Sequence, residues 1–156
     1  MSAKSAGFLL HRISGGRLEV LLVHPGGPFW RRRDEGAWSI PKGECDADED
    51  PVAVARREFA EELGAEPPEV ELQPLGSVRQ AGGKVVLAWT ARGDFDPAQL
   101  ASNTFELEWP PKSGRLQSFP EVDRAAWWDL ESARRMLLPA QRAFLDRLEE
   151  LLLRPS

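Results

Sequence analysis

The sequence predicts an α/β (α+β) fold in a single domain spanning residues 1–156. Three observations predict it. Apolar, β-rich runs bounded by glycine turns recur through the chain, a capped helical segment interrupts them, and amphipathic helical patterns close the sequence. A chain of 156 residues is also of ordinary size for one domain, able to bury about 70% of its unfolded surface.

Taken in order, Ser5 to Ile13 and Arg17 to His24 read as strands joined by a turn at Ser14-Gly15-Gly16. Pro25 to Glu35 is a loop rich in glycine, carrying Arg31-Arg32-Arg33. Asp50-Pro51 has the form of an N-cap followed by proline at the first helical position, and Gly64 stands where a left-handed C-cap ends a helix, so Pro51 to Leu63 is predicted helical. Glu69 to Gln80 and Lys84 to Arg92 read as strands separated by Ala81-Gly82-Gly83. Asp94 to Ser102 is a loop with a short helical turn, and Asn103 to Trp109 is a strand broken by Pro110-Pro111-Lys112-Ser113-Gly114. Glu121 to Trp128 is a strand leading into a helix over Leu130 to Leu138. Pro139 to Leu153 is a last amphipathic helix with Phe144, Leu145, Leu148 and Leu152 spaced for packing.

The helix from Pro51 carries the chemistry. At about 100° per residue, Val52, Ala55, Phe59 and Leu63 form one stripe, and Glu58, Glu61 and Glu62 cluster in an arc beside it. Like charges at such spacing repel, each pair costing about 0.2–0.5 kcal/mol even when exposed. Glu62 borders the apolar stripe, where partial burial raises that cost. A hard divalent cation, Mg²⁺ or Mn²⁺, resolves the conflict, because it takes oxygen ligands from one or two carboxylates and from substrate phosphates. A merely solvated acidic face leaves Glu49, Arg57 and the flanking Gly43 and Gly64 unexplained.

Read together, Gly43, Glu49, Arg57, Glu58, Glu61, Glu62 and Gly64, with apolar Phe59 and Ala65, resemble the complete Nudix hydrolase signature G-x5-E-x7-R-E-U-x-E-E-x-G-U, where U is a large apolar residue. Seven specified residues coincide by chance with a probability on the order of one in a million. The resemblance implies a mixed β-sheet sandwiched between α-helices, and metal-assisted hydrolysis of a diphosphate. It implies metal ligands at Glu58, Glu61 and Glu62, with Glu58 first among candidates for the base. Arg57 and Glu49 read as an ion pair orienting the helix against its loop, which controls ligand geometry.

Two neighbouring segments extend the resemblance. Trp38-Ser39-Ile40-Pro41-Lys42-Gly43 is similar to the W-x-x-P-K-G lead-in of Nudix enzymes acting on diadenosine polyphosphates, diphosphoinositol polyphosphates and some nucleoside triphosphates. Lys42 is expected to neutralise a phosphate oxygen as charge develops. Departing from those relatives, Glu44-Cys45-Asp46-Ala47-Asp48-Glu49 lacks the glycine that usually precedes the signature glutamate. Further along, Glu121 stands six residues before Trp127, where many family members place an additional metal ligand or the base; Glu106 and Glu108 compete for that role. Trp127 itself reads as core packing. Arg79 and Lys84, beside strand ends, are candidate substrate contacts, and Arg31 to Arg33, Lys112 and Arg115 lie in or beside loops as well. With no tyrosine in the chain, stacking on a nucleobase falls to Trp30, Trp89, Trp109 or Phe119.

Composition bounds the partners. A net charge of −5 and a pI near 5.2 argue against broad attraction to nucleic acid or anionic membrane, leaving a small phosphorylated ligand, a nucleotide above all. The single cysteine, Cys45 in a polar loop, cannot form an internal disulfide. No apolar run suits a signal peptide or a membrane span, and a cytoplasmic monomer or homodimer is expected. A dinucleoside polyphosphate such as diadenosine tetraphosphate is the favoured substrate. Nucleoside triphosphates, including oxidised guanine nucleotides, come second, inositol pyrophosphates third, and a non-hydrolytic nucleotide-binding module is the alternative of a different class.

Overall fold

A computed structural model describes residues 4–153. The chain runs β1 (Lys4–Ser14), β2 (Arg17–Pro25), β3 (Lys42–Glu44), α1 (Pro51–Leu63), β4 (Gln73–Arg79), β5 (Val85–Arg92), β6 (Thr104–Glu108), β7 (Leu116–Pro120), β8 (Val122–Asp129), α2 (Leu130–Met136) and α3 (Arg142–Leu153). Short 3₁₀ turns occupy Ala81–Gly83, Pro97–Gln99 and Pro139–Gln141.

Strands order as β4-β5-β1-β2-β8, with β3 added to β1. β1 and β5 are parallel, Phe8 opposite Trp89, and every other pairing is antiparallel, so the sheet is mixed. The β1–β2 hairpin closes through Gly15 and Gly16 at φ 58° and 78°, as a two-residue primed turn requires.

Alternation along the strands builds a core on each face. Ala6, Phe8 and Leu10 of β1 join Leu21 and Val23 of β2 against Val54, Ala55, Phe59 and Leu63 of α1. Leu9, Val20 and Leu22 point the other way, against Ala133 and Met136 of α2 and Phe144, Leu145 and Leu148 of α3. Burial on both faces explains why β1 and β2 read as continuous apolar runs. The sheet is therefore sandwiched between helices. β6 and β7 form a separate two-stranded ribbon, Phe105 opposite Phe119.

Several boundaries differ from the sequence expectation. β4 begins at Gln73 rather than Glu69, because Arg56 holds the carbonyls of Pro68 and Val70 against α1. The final helix starts at Arg142 after a 3₁₀ turn, and its Leu152 is 41% exposed where packing was expected. Cys45, expected in a polar loop, is buried at the edge of the α1 core, which raises its thiol pKa by desolvation. β3 and β7 were not expected as strands at all. Among the described residues no helix is long and apolar enough to cross a membrane.

Candidate active site

The site grows from α1. Asp50 accepts from the Val52 N–H at 3.2 Å, Pro51 opens the helix, and Gly64 closes it at φ 77°, donating to the Ala60 carbonyl. Phe59 packs on Phe8 with ring centroids 4.9 Å apart, which fixes the rotation of the helix on the sheet. That rotation leaves Glu58 half-buried and turned toward β3. A β-carbon on Gly43 would overlap the Glu58 carboxylate, so glycine is the residue that admits this carboxylate against the strand. β3 in turn lies on β1, Gly7 opposite Lys42, where a β-carbon on Gly7 would clash with Ile40, Pro41 and Lys42.

Arg57 Nη1 meets Glu49 Oε2 at 2.9 Å, and Glu49 Oε1 accepts the Asp46 N–H at 2.9 Å. The backbone bond first, then Arg57, hold the Glu49 carboxyl below the usual range. The Glu49 N–H closes a turn on the Asp46 carbonyl at 3.1 Å. Lys112 is the one non-glycine residue with positive φ among the described residues, so the missing glycine of this loop is not needed for a left-handed backbone.

Glu62, Glu121, Lys42, Ser39 and Pro25 line a small cleft of about 160 Å³. Burial pushes the Glu62 carboxyl up to about 8, against the opposing pull of the Lys42 charge, and Glu58 and Glu121 push it further. Glu58 is raised by burial and then by Glu61 and Glu121, with Arg57 and Lys42 opposing. Lys42 is lowered by burial and by the neighbouring Lys84, with Glu62 and Glu58 opposing. One electrostatic unit thus joins four glutamates and two lysines.

Glu121 reaches this unit through backbone bonds. The Asn103 N–H donates to the Glu61 carbonyl at 2.9 Å, and the Glu121 N–H donates to the Asn103 carbonyl at 2.8 Å. Its own carbonyl accepts from Gly26 at 2.9 Å. Glu106 and Glu108 stand exposed on the β6–β7 ribbon instead. Arg79 is exposed and donates to the Gly83 carbonyl of its own hairpin at 3.1 Å. Trp127 donates to the Phe95 carbonyl at 2.8 Å and packs on the α1 core.

Two buried polar residues were missed in the sequence. Gln141 is fully buried, accepting from the Ile40 N–H at 3.0 Å and donating to Ser39 Oγ at 3.0 Å and Gln80 Oε1 at 2.9 Å. It locks the segment that delivers Lys42. Its signal was spacing: Gln141 shares the stripe of Phe144, Leu145 and Leu148. His24, also fully buried, contacts Asp123 Oδ1 at 2.7 Å and the Arg33 carbonyl at 2.6 Å, tying down the arginine loop.

The donor set fits a hard divalent cation: it is all carboxylate oxygen, and its members raise one another's proton affinity for want of positive charge. Among the described residues no three such side chains already converge as a closed cage. Magnesium characteristically keeps water and phosphate ligands and takes only one or two carboxylates, so an open arrangement suits it.

An α+β domain presenting an acid-rich helix beside a half-buried lysine is the class defined by this geometry. The NUDIX domain profile matches residues 1–148, and the chain belongs to the Nudix family. It is 28% identical to the RNA pyrophosphohydrolase of Acidiphilium cryptum (strain JF-5), over 76% of each chain. The fold is similar to the binary complex of C. elegans Ap4A hydrolase, with TM-score 0.67 and 22% identity over 95% of this chain and 97% of that one. It is similar too to the NUDIX domain of Shewanella oneidensis NrtR complexed with ADP ribose, at TM-score 0.65 and 22% identity over 97% and 89%.

Proposed function

We propose that the chain, a Nudix-type pyrophosphohydrolase, hydrolyses the diphosphate linkage of a nucleoside-diphosphate-linked substrate, and that a dinucleoside polyphosphate such as diadenosine tetraphosphate is the preferred one. The observation that carries this reading is the convergence of Glu62, Glu121 and Lys42 on one cleft, with Glu58 coupled to all three and Glu61 to Glu58. The Trp38 to Gly43 lead-in supports a polyphosphate.

Glu58, Glu61, Glu62 and Glu121 would hold Mg²⁺ or Mn²⁺ together with substrate phosphate oxygens. When bound, such an ion supplies charge stabilisation at the phosphoryl oxygens and acidifies a water. Lys42 meets the negative charge that grows on a phosphate oxygen in the transition state, from a partly dehydrated position where its charge acts strongly. Glu58, or failing it Glu121, accepts the proton of the attacking water. Arg57 and Glu49 keep α1 seated on its loop so that the carboxylates stay in register.

A screen of diadenosine polyphosphates, nucleoside triphosphates, sugar nucleotides and inositol pyrophosphates with Mg²⁺ and Mn²⁺, read by phosphate release and product mass, tests the assignment. Diadenosine tetraphosphate is expected to give the highest kcat/KM. Glu62→Gln is expected to lower kcat at least 100-fold with the melting temperature in chelator undiminished. Near wild-type turnover in that variant sinks the reading. Nucleotide binding by calorimetry with no product from any substrate would identify a binding module instead; the intact set of signature glutamates speaks against it.

A further inference from the structure

A second cavity, of about 470 Å³, opens at the far end of the sheet from the Lys42 cleft. That volume lies in the range of small-molecule sites, about 300–1,000 Å³. Leu9 and Thr90 are partners across β1 and β5, as are His11 and Arg92, and Gln73 of β4 opposes Thr90. Ladder partners share a face, so His11, Thr90, Arg92 and Gln73 all lie on the face of Leu9, toward α2 and α3. Lys42 pairs with Gly7, four residues or roughly 13 Å back along β1. The helix α1, with its glutamates, packs on the opposite face. Hydrolysis at the Lys42 cleft therefore makes no use of this cavity.

Its floor is a histidine with one committed nitrogen. His11 is only 6% exposed. The Thr90 hydroxyl donates to the Leu9 carbonyl at 2.6 Å, so its oxygen accepts from His11 Nδ1 at 2.9 Å. A neutral imidazole with its proton on Nδ1 presents a lone pair at Nε2. Burial, and after it the Arg92 charge, keep the ring neutral by pushing its pKa down to about 4. Nε2 has no hydrogen-bond partner among the described residues. The unpartnered side-chain atoms sealed from solvent there are Ser5 Oγ and Trp128 Nε1, so Nε2 opens onto the cavity that His11 lines.

The rim carries both signs of charge. Glu71 and Arg92 stand exposed on it and make no ion pair within 4.0 Å among the described residues. Val70 and Leu152 supply apolar walls, 47% and 41% exposed. The Val70 wall is held in place by Arg56 of α1, which donates to the Pro68 carbonyl at 2.9 Å and to the Val70 carbonyl.

These features are complementary to one kind of molecule. An unpaired acid and base at the rim match an ammonium and a carboxylate carried on one carbon. The walls suit an apolar ring, and Nε2 calls for a single donor at its far end. Because the Thr90 proton is already given to Leu9, the floor has no donor to offer in return. Indole is the ring that donates one hydrogen bond and accepts none.

We propose that this cavity binds an indole-bearing α-amino acid, its ring N–H donating to His11 Nε2, its carboxylate meeting Arg92 and its ammonium meeting Glu71. The site stands independently of the hydrolytic cleft, so neither assignment falls with the other.

Calorimetry with L-tryptophan, in chelator and without nucleotide, tests it. Wild type is expected to bind tryptophan. Its benzothienyl isostere, in which sulfur replaces the ring N–H, is expected to bind at least tenfold more weakly, because a buried acceptor then goes unpaired. His11→Leu is expected to bind the two ligands equally. Tryptamine, which lacks the carboxylate, is expected to bind wild type at least tenfold more weakly than tryptophan, and Arg92→Gln to erase that difference. The chain has two histidines, so their ring nitrogens resolve by NMR: tryptophan is expected to shift His11 Nε2 and leave His24 in place. Absence of binding heat at millimolar tryptophan overturns the proposal. Equal affinity of wild type for the sulfur isostere does so too, as does tryptophan binding that Arg92→Gln leaves unchanged. The last two comparisons use the wild-type chain and an exposed position, so they decide the matter even if His11→Leu does not fold.

Discussion

Gly43 and Glu58 act as one unit, since the space a side chain would need on the strand is filled by the carboxylate on the helix. Gly43→Ala is expected to displace Glu58 and lower kcat about 100-fold, the usual consequence of an ångström-scale misplacement, while costing about 1–3 kcal/mol of stability. Steady-state kinetics beside urea melts separate the two effects, and wild-type kcat would contradict this pairing. His11 illustrates a different balance. Thr90 donates its hydroxyl proton to the Leu9 carbonyl at 2.6 Å, so its oxygen accepts from His11 Nδ1 at 2.9 Å. Burial, then Arg92, push this imidazole down to about 4. The folded chain therefore refuses a proton that the unfolded chain takes up below its ordinary value near 6.5. Stability from this group is complete above that value and drains away as pH falls toward 4, by about 2–3 kcal/mol. Urea melts at pH 4.5 and 7 are expected to show that loss in wild type and much less of it in His11→Gln; parallel behaviour of the two proteins would refute it.

At the scale of elements, the contrast between α1 and β3 shows what a sequence discloses. Asp50, Pro51 and Gly64 are local signals with local causes, and the helix they delimit is Pro51–Leu63 in the structure as in the sequence reading. Lys42-Gly43-Glu44 has no apolar alternation and becomes a strand only because β1 offers it an edge. β7 is likewise written by its partner, as its exposed residues acquire a ladder from β6 and not from a core. The signature glutamates were legible for the same reason as α1, lying on one helix with one period. The cleft that Glu62 shares with Lys42 and Glu121 depends on three separate backbone segments meeting, which no spacing records. Gln141 ties several such segments together. Gln141→Leu is expected to strand the Ile40 N–H and cost about 1–3 kcal/mol, and to lower kcat more than it raises KM because the Lys42 segment loosens. A thermal melt unchanged from wild type would show that the buried amide bears no such role.

Over the whole molecule, the two cores divide the labour. The α1 side carries the signature glutamates, and the α2–α3 side packs the opposite face of the same strands. The sheet between them is assembled from partners distant along the chain. β1 and β2 meet across a two-residue turn, but β8 joins β2 with Val122 opposite Pro25, and β5 lies parallel to β1. In kinetic terms, the nucleating hairpin is cheap in loop entropy and the remaining ladders are expensive. Glu121 immediately precedes β8, so it reaches the cleft only when the costliest ladder closes. Catalytic competence should therefore emerge last in refolding: after a jump out of urea, tryptophan fluorescence and far-ultraviolet ellipticity recover before or with the return of diphosphate hydrolysis, never after it. A chain still waiting for β8 would carry its acidic helix folded and chemically idle.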